Sequence, residues 1–119
     1  MSVNKVILIG NVGNDVEVRS FDNGGKIAKF SLATTKRAVK KDDKEIPERT
    51  DWHNVLVQGK LADIAEKYVK KGTRLYVEGE IRYREYEKDG QKRYITEICC
   101  HSFELLSKKQ EEDDEETPF

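Results

Sequence analysis

The sequence contains only two cysteines, two histidines and two prolines. Cys99 and Cys100 are adjacent, and neighbouring residues on a strand point to opposite faces, so we expect no disulfide between them. His53 and His101 are the only further soft ligands, so we predict no metal site. No apolar run approaches the roughly 18 residues of a membrane helix. The start also lacks the segments of a secretory signal, so we expect a cytoplasmic protein without a membrane partner.

Recognisable catalytic motifs are also missing. The sequence has no Walker-type glycine loop, no nucleophile elbow and no zinc-type spacing of histidine and carboxylate residues. The two histidines lie in different segments and have no evident general-base partner. We therefore predict that the protein is not an enzyme and that it uses no cofactor.

Charge is distributed unevenly along the chain. Six of the 23 acidic residues lie in the last nine positions, EEDDEETPF, which contain no base. The other 110 residues therefore carry 22 basic against 17 acidic side chains, a balance of +5. This split predicts a polyanionic partner for the body of the protein and a separate role for the tail. We predict one domain at 1–106, followed at 107–119 by a short linker and an acidic protein-interaction tail.

Most of the body has the patterns of β-strands. The stretch VNKVILIGNVGNDVEVRSF is rich in β-branched residues, FDNGG is a turn signal, and KIAKFSLATT and TDWHNVLVQG follow as further strands. In the third strand, Val55 and Val57 are predicted to face the core, opposite Trp52 and Gln58. Two long strands around a KDGQ turn come last. The charged segment 36–49 is predicted to be a long loop.

One helix is predicted between the third and fourth strands, in KLADIAEKYVKKG. Leu61, Ile64, Ala65 and Tyr68 have the spacing of a buried helical stripe, and Gly72 is predicted to be the C-cap. This order of elements predicts an all-β fold, a five-stranded Greek-key barrel of the OB type with one short helix. An SH3-like barrel is the main alternative, although it has no natural place for the helix.

Aromatic and basic residues are mixed at positions that we predict to face solvent. Trp52 lies opposite the core face of its strand, and Tyr83 and Tyr86 lie near Arg82 and Arg84 in the last hairpin. An unstacked base that covers an aromatic ring contributes about 1–3 kcal/mol, while basic side chains contact the phosphates. The pattern therefore predicts a single-stranded nucleic-acid partner. The alternatives are a core position for the tryptophan and a charged surface that only contacts water.

Several of these segments together resemble one known family. VNKVILIGNVGNDVEVR, SLATT, TDWHNVLVQGKLADIAEKYVKKG and LYVEGEIRYREY are similar to segments of the bacterial single-stranded DNA-binding proteins, and DDEETPF is similar to the acidic tail of that family. The resemblance implies an OB fold that wraps single-stranded DNA, usually as a homotetramer, without catalysis. It also implies a part in DNA replication, recombination and repair.

The resemblance implies roles for individual residues as well. Trp52 matches a base-stacking tryptophan, Tyr86 falls where the family often has a second one, and His53 matches a position associated with subunit contacts. Basic positions along the DNA path are matched by Lys5, Lys60, Lys71, Arg82 and Arg84, and the charged loop adds Lys36 and Arg37 as candidates. In the tail, the segment that docks on replication and repair proteins is matched by Asp113, Asp114, Pro118 and Phe119.

Three features depart from the family pattern. Ala38 and Gln58 stand where the best-known members have aromatic residues, so we expect the DNA path to rely more on Arg37, Trp52 and Tyr86. The third departure is a short linker before the tail. Because a short tether raises the concentration of the acids near the barrel, we hypothesise that the tail competes with DNA.

Two other classes of function stay open. An OB-fold replication-restart factor of the primosomal type would act mainly as a protein adaptor, and it would lack the acidic Pro-Phe tail. An RNA-binding OB module would prefer RNA to DNA of equal sequence. Binding measurements with the two nucleic acids distinguish these alternatives.

Overall fold

The computed structural model describes residues 1–106, which form eight strands and one helix. The strands are β1 (Val6–Val12), β2 (Glu17–Ser20), β3 (Lys26–Lys36), β4 (Val39–Lys41), β5 (Lys44–Ile46), β6 (Arg49–Gln58), β7 (Arg74–Lys88) and β8 (Gln91–Leu105), and helix α1 covers Lys60–Tyr68. Within this part of the chain, no helix is long and apolar enough to cross a membrane. The predicted linker and tail, with Asp113, Asp114, Pro118 and Phe119, lie outside the described residues.

The five principal strands are connected by a continuous series of pairings. Antiparallel pairs join β1 to β7, β7 to β8, β3 to β6 and β1 to β3, while β6 and β8 pair in parallel. Strand β2 pairs with the first part of β3, opposite Lys26 to Lys29. The prediction of a mainly β fold, with a helix between the third and fourth principal strands, is confirmed.

Alternate residues of the principal strands fill the core. Val55 and Val57 of β6 and Leu75 and Val77 of β7 are almost completely buried, and they pack with apolar residues of β3 and α1. Burying an aliphatic side chain of this size contributes about 1.5–3 kcal/mol to folding. The predicted core face of the third strand is therefore confirmed. The opposite face of β6 remains free to form a binding surface.

The helix has the predicted position, and the predicted stripe is confirmed for Ala65, which is buried, and for Leu61, which packs against the core. Its fully buried residues are Ala62 and Ala65, and Val69 is buried just after its end. The predicted stripe was wrong for Ile64 and Tyr68, which are 44% and 54% exposed. Small alanines face the sheet because they let the helix approach the strands closely.

The predicted C-cap was also wrong. The helix ends at Tyr68, and Val69 takes an extended conformation as the C-cap. Gly72 lies in the next turn with φ 90°, where its N–H donates to Val12 O at 2.8 Å. The glycine thus stabilises the turn that leads into β7.

The charged segment at 36–49 is a β-hairpin, where the sequence predicted a long loop. Strands β4 and β5 pair from Val39–Ile46 to Lys41–Lys44, and the turn residues Asp42 and Asp43 have φ of 53° and 64°. Positive φ at both central residues is the requirement of a type I′ turn, which asparagine and glycine usually meet. The Asp-Asp pair therefore concealed the hairpin from sequence reasoning.

Candidate nucleic-acid interface

The outer face of β6 presents four residues in a row. Trp52, Asn54, Leu56 and Gln58 alternate with the buried valines, and the strand rise places the first and last of them roughly 20 Å apart. On the neighbouring strand β3, Lys29, Ser31 and Ala33 occupy the same face, paired with Leu56, Asn54 and Trp52. The two strands thus form a continuous track across the outside of the sheet.

Trp52 forms one end of this track. It is 62% exposed, so the alternative interpretation as a core tryptophan is wrong. Its strand partner is Ala33, and the Cζ3 edge of the aromatic ring lies against Gly13. Part of the ring is covered by small groups, and the remainder is open to solvent.

The other end of the track opens into a groove of about 780 Å³. The groove lies between the strands β2, β3 and β6 and the hairpin β7–β8. Gln58 and Lys29 lie in it, together with Phe21, Tyr83, Arg82 and Arg84. A volume of this size is typical of sites for small organic ligands, and a nucleotide falls within that class.

The groove exists because β6 and β8 are in contact over only a short length. Their parallel pairing covers Val55–Ile98 and Leu56–Cys99. Beside these pairs, Asn54 Nδ2 donates to Thr96 O at 3.4 Å. The hairpin β7–β8 is much longer than this contact, and the groove occupies the space beside it.

An ion pair stabilises the wall of the groove. The Arg84 guanidinium donates to both carboxylate oxygens of Glu97, at 3.2 and 3.0 Å, and Lys29 Nζ lies 3.8 Å from the same carboxylate. Glu97 is 6% exposed, and the hydrogen bond from Arg84 holds its pKa below the usual value despite burial. The Arg84 guanidinium also lies 6.0 Å from the centre of the Tyr86 ring. Arg84 is therefore positioned by an acid and an aromatic ring together.

Two more of the predicted DNA-contacting cations hold carboxylates. Arg82 bonds to Glu80, and Lys5 Nζ lies 3.1 Å from Glu78 Oε2. These hydrogen bonds lower the pKa of Glu80 and the pKa of Glu78. A phosphate that binds Arg82 or Lys5 must therefore compete with a protein carboxylate.

The other predicted cations are arranged differently. For Lys36, Arg37, Lys60 and Lys71, the structure of residues 1–106 shows no side-chain ion pair. Lys36 lies at the Trp52 end of the β3–β6 ribbon, and Arg37 follows it before β4. Lys60 begins α1 two residues after Gln58, and the backbone N–H of Lys71 donates to Asp15 Oδ1 at 3.1 Å. The structure thus brings unpaired charge to both ends of the track.

His53 lies on the same face of β6 as Val55 and Val57, and it pairs with the buried Leu32 of β3. It is half-buried, and its Nε2 lies 2.9 Å from Thr34 Oγ1 on β3. This contact fixes the ring relative to the β3–β6 pair. The subunit contact that sequence reasoning assigned to His53 stays a prediction.

Sequence reasoning missed several residues of the groove. Phe21 follows β2 as the first residue of the predicted FDNGG turn, and Lys29 alternates with the buried Ala28 and Phe30. The alternation in β3 was a usable signal for Lys29. No local pattern indicated that Glu97 would pair with Arg84, because their contact depends on the register of the long hairpin.

The chain is similar to proteins of one family. The model of the Single-strand binding protein family matches residues 3–106. The Single-stranded DNA-binding protein of Bacteroides thetaiotaomicron is 54% identical over 111 residues, which cover 92% of this chain and 69% of that protein.

Two solved structures resemble the fold. The Plasmodium falciparum SSB in complex with ssDNA superposes with a TM-score of 0.81 at 34% identity, covering 90% of this chain and 97% of that one. A deletion mutant of the single-stranded DNA binding protein from Thermus aquaticus superposes with a TM-score of 0.75 at 28% identity, covering 88% of this chain and 51% of that one.

Proposed function

The chain belongs to the single-strand binding protein family, and from this premise we propose that it binds single-stranded DNA without strong sequence preference. The observation that carries the proposal is the exposed ring of Trp52 at one end of an outer track whose other end is an open groove. A single strand can place its bases on such a ring. A duplex keeps its bases stacked inside and cannot do so.

The roles of the site residues follow from their positions. We propose that Trp52 and Tyr86 stack on bases. Phosphates would be contacted by four basic residues that make no side-chain ion pair within residues 1–106, namely Lys36, Arg37, Lys60 and Lys71. Lys5, Arg82 and Arg84 would contact DNA by exchanging a protein carboxylate for a phosphate. Before DNA binds, the carboxylate partner holds each of these side chains in a defined conformation.

The finer description of the fold is also a proposal. We infer that the connected series of strand pairings is a five-stranded Greek-key OB barrel, because β1 pairs with both β7 and β3. We propose that this barrel domain ends near residue 106. The acidic segment at 107–119 would then be a separate protein-interaction tail.

A homotetramer is the assembly that we propose. His53 is one candidate for a subunit contact. A second candidate surface is the outer side of β1, where Ile7 and Ile9 are 54% and 46% exposed. Apolar side chains exposed next to each other on one strand face are typical of surfaces that bind another protein.

The proposed cellular role is the protection of single-stranded DNA during replication, recombination and repair in the cytoplasm, without enzymatic activity or a cofactor. We propose that Asp113, Asp114, Pro118 and Phe119 recruit replication and repair proteins. Phe119 would supply an apolar anchor, and the acids would direct the tail to a basic pocket. Deleting Pro118 and Phe119 should abolish binding to purified partner proteins and leave DNA binding intact, whereas retained partner binding would contradict the proposal.

The experiment that tests DNA binding uses the single tryptophan as its reporter. Oligo-dT, oligo-U and a DNA duplex are titrated into the full chain at two salt concentrations while Trp52 fluorescence is followed. We expect strong quenching by oligo-dT, weaker affinity at high salt and little response to the duplex. Stronger binding of oligo-U would favour the RNA-binding module. Absence of binding to every probe would favour the protein adaptor.

A second titration tests the tail hypothesis. The chain that lacks residues 111–119 should bind oligo-dT more tightly than the full chain at low salt, and the difference should shrink at high salt. Equal affinities at low salt would refute competition between the tail and DNA.

A further inference from the structure

Gly13 lies against the edge of the Trp52 ring at Cζ3. A Cβ atom placed on Gly13 would lie 2.3 Å from Cζ3 of the ring, 3.1 Å from Cε3 and 3.2 Å from Cη2. All three nearest atoms belong to the six-membered part of the indole. The missing side chain of Gly13 therefore makes room for this ring.

The backbone around Gly13 is held in place by hydrogen bonds. The Gly13 N–H donates to Ser31 O at 2.8 Å, and the Ser31 N–H donates to Asn14 Oδ1 at 2.9 Å. Further bonds tie the same segment to the turn before β7: Val12 N–H to Thr73 O, Gly72 N–H to Val12 O, and Lys71 N–H to Asp15 Oδ1. Because these bonds anchor residues 12–15 on two sides, the segment cannot move away from an added methyl group cheaply.

The Trp52 ring is the part that can move. It is largely exposed, and no hydrogen bond from its indole N–H is recorded within residues 1–106. Gly13 also differs from Gly24, Gly59, Gly72 and Gly90, which have positive φ, so alanine at position 13 brings no backbone strain of that kind. A methyl group on Gly13 should displace the ring and leave the fold intact.

We propose that Gly13 is a positioning residue for nucleic-acid binding. Its missing side chain leaves room for the Cζ3 edge of the indole beside the β1–β2 connection, so that the ring can take the position in which a base stacks on it. The inference rests on the proposed function, because the position of the ring matters only if a base stacks on it. It assigns a binding role to a residue that does not itself contact the nucleic acid.

The test is the Gly13→Ala variant of the full chain, with fluorescein-labelled oligo-dT as the probe and anisotropy as the readout. We expect the dissociation constant to rise about fivefold or more, because stacking on the ring is lost or misaligned. The thermal unfolding midpoint, followed by circular dichroism, should change little. Tyr68→Ala is the control, since it changes an exposed side chain on α1 away from Trp52, and its affinity should stay at the wild-type level.

A double-mutant cycle separates positioning from a general effect on the structure. In a Trp52→Ala background, the change at Gly13 should have no further effect on affinity, because there is no ring left to position. A direct readout is the chemical shift of the Gly13 Hα protons, which the ring current of the adjacent indole edge should displace. That displacement should disappear in Trp52→Ala.

The outcomes divide clearly. If wild type binds oligo-dT and Gly13→Ala binds it equally well, the inference is overturned while the proposed function stands. If Gly13→Ala loses equal affinity with and without the Trp52 ring, its role is structural and the inference is also overturned. If wild type fails to bind oligo-dT, the proposed function itself fails, and the Gly13 Hα shift then still reports whether the ring rests on Gly13.

Discussion

The two sides of the proposed DNA site differ in how they hold positive charge. At the start of the β4–β5 hairpin, Lys36 and Arg37 make no side-chain ion pair with any residue up to position 106. On the β7–β8 hairpin, Arg82 and Arg84 each bind a carboxylate. A basic residue on the proposed DNA path can therefore already be engaged by a protein carboxylate. The first pair can contact DNA directly, and the second must first give up a partner.

This difference has a thermodynamic consequence. A free cation that neutralises a phosphate lets a condensed counterion leave the DNA, so its contribution falls with added salt. When Arg84 exchanges Glu97 for a phosphate, the carboxylate keeps only Lys29 at 3.8 Å, so the loss of its closer partner offsets part of the gain. We therefore expect the salt dependence of binding to come mainly from the unpaired side.

The largest effect on DNA binding is expected from removal of the Trp52 ring. Trp52→Ala should cost about 1–3 kcal/mol of binding free energy, because one base loses its stacking partner. Anisotropy of labelled oligo-dT measures the change. Tyr68→Ala is the matched control, since it deletes an exposed ring on α1, away from the track. Equal losses in the two variants would show that aromatic deletions act through general destabilisation.

The next prediction compares the two sides directly. Arg37→Ala should reduce the slope of log K against log salt concentration by about 0.7, the value for one phosphate contact on a single strand. Arg84→Ala should reduce it less, because Arg84 is already neutralised by Glu97. Titrations with oligo-dT at four or more salt concentrations give both slopes. A larger change for Arg84→Ala would reverse the comparison.

Glu97→Gln should remove the ion pairs that Glu97 makes with Arg84 and Lys29. Removing the carboxylate releases both Arg84 and Lys29, so we expect a steeper salt dependence and tighter binding at low salt. The same change should lower the free energy of unfolding by on the order of 1 kcal/mol, because a charged hydrogen bond is lost in the wall of the groove. Urea unfolding and oligo-dT titration measure the two effects. An unchanged salt slope would mean that Arg84 does not reach DNA.

The smallest expected effect is a dependence on pH. Arg84 lowers the pKa of Glu97 from its usual 4.5, so the pair stabilises the folded state above pH 4.5. This stabilisation is lost as the pH falls through the lower folded-state value. The difference in unfolding free energy between wild type and Glu97→Gln should therefore be constant from pH 7 to about 5 and shrink below that. A difference that persists unchanged at pH 3 would contradict the assigned pKa direction.

Local patterns predicted the elements that follow a simple period. The alternation in TDWHNVLVQG correctly separated the buried Val55 and Val57 from the exposed Trp52, because a strand has only two faces. Helical spacing placed α1 and its core residues Leu61 and Ala65. It did not choose Ala62 over Ile64, because only packing against β3 and β6 decides which of these two is buried. The β4–β5 hairpin was missed because its turn residues are not those that usually mark a type I′ turn.

The sequence by itself determined the order of the principal strands and the helix along the chain, the outward face of β6 and the family of the protein, since each depends on residues that are close in the chain. Only the tertiary structure decided which basic side chains of residues 1–106 form ion pairs and which residue contacts the edge of the Trp52 ring. Arg84 and Glu97 meet because the hairpin register places them diagonally across β7 and β8. Gly13 and Trp52 meet because β1 and β6 both pair with β3. Contacts of this kind depend on the geometry of the sheet, and a local sequence pattern does not indicate that geometry.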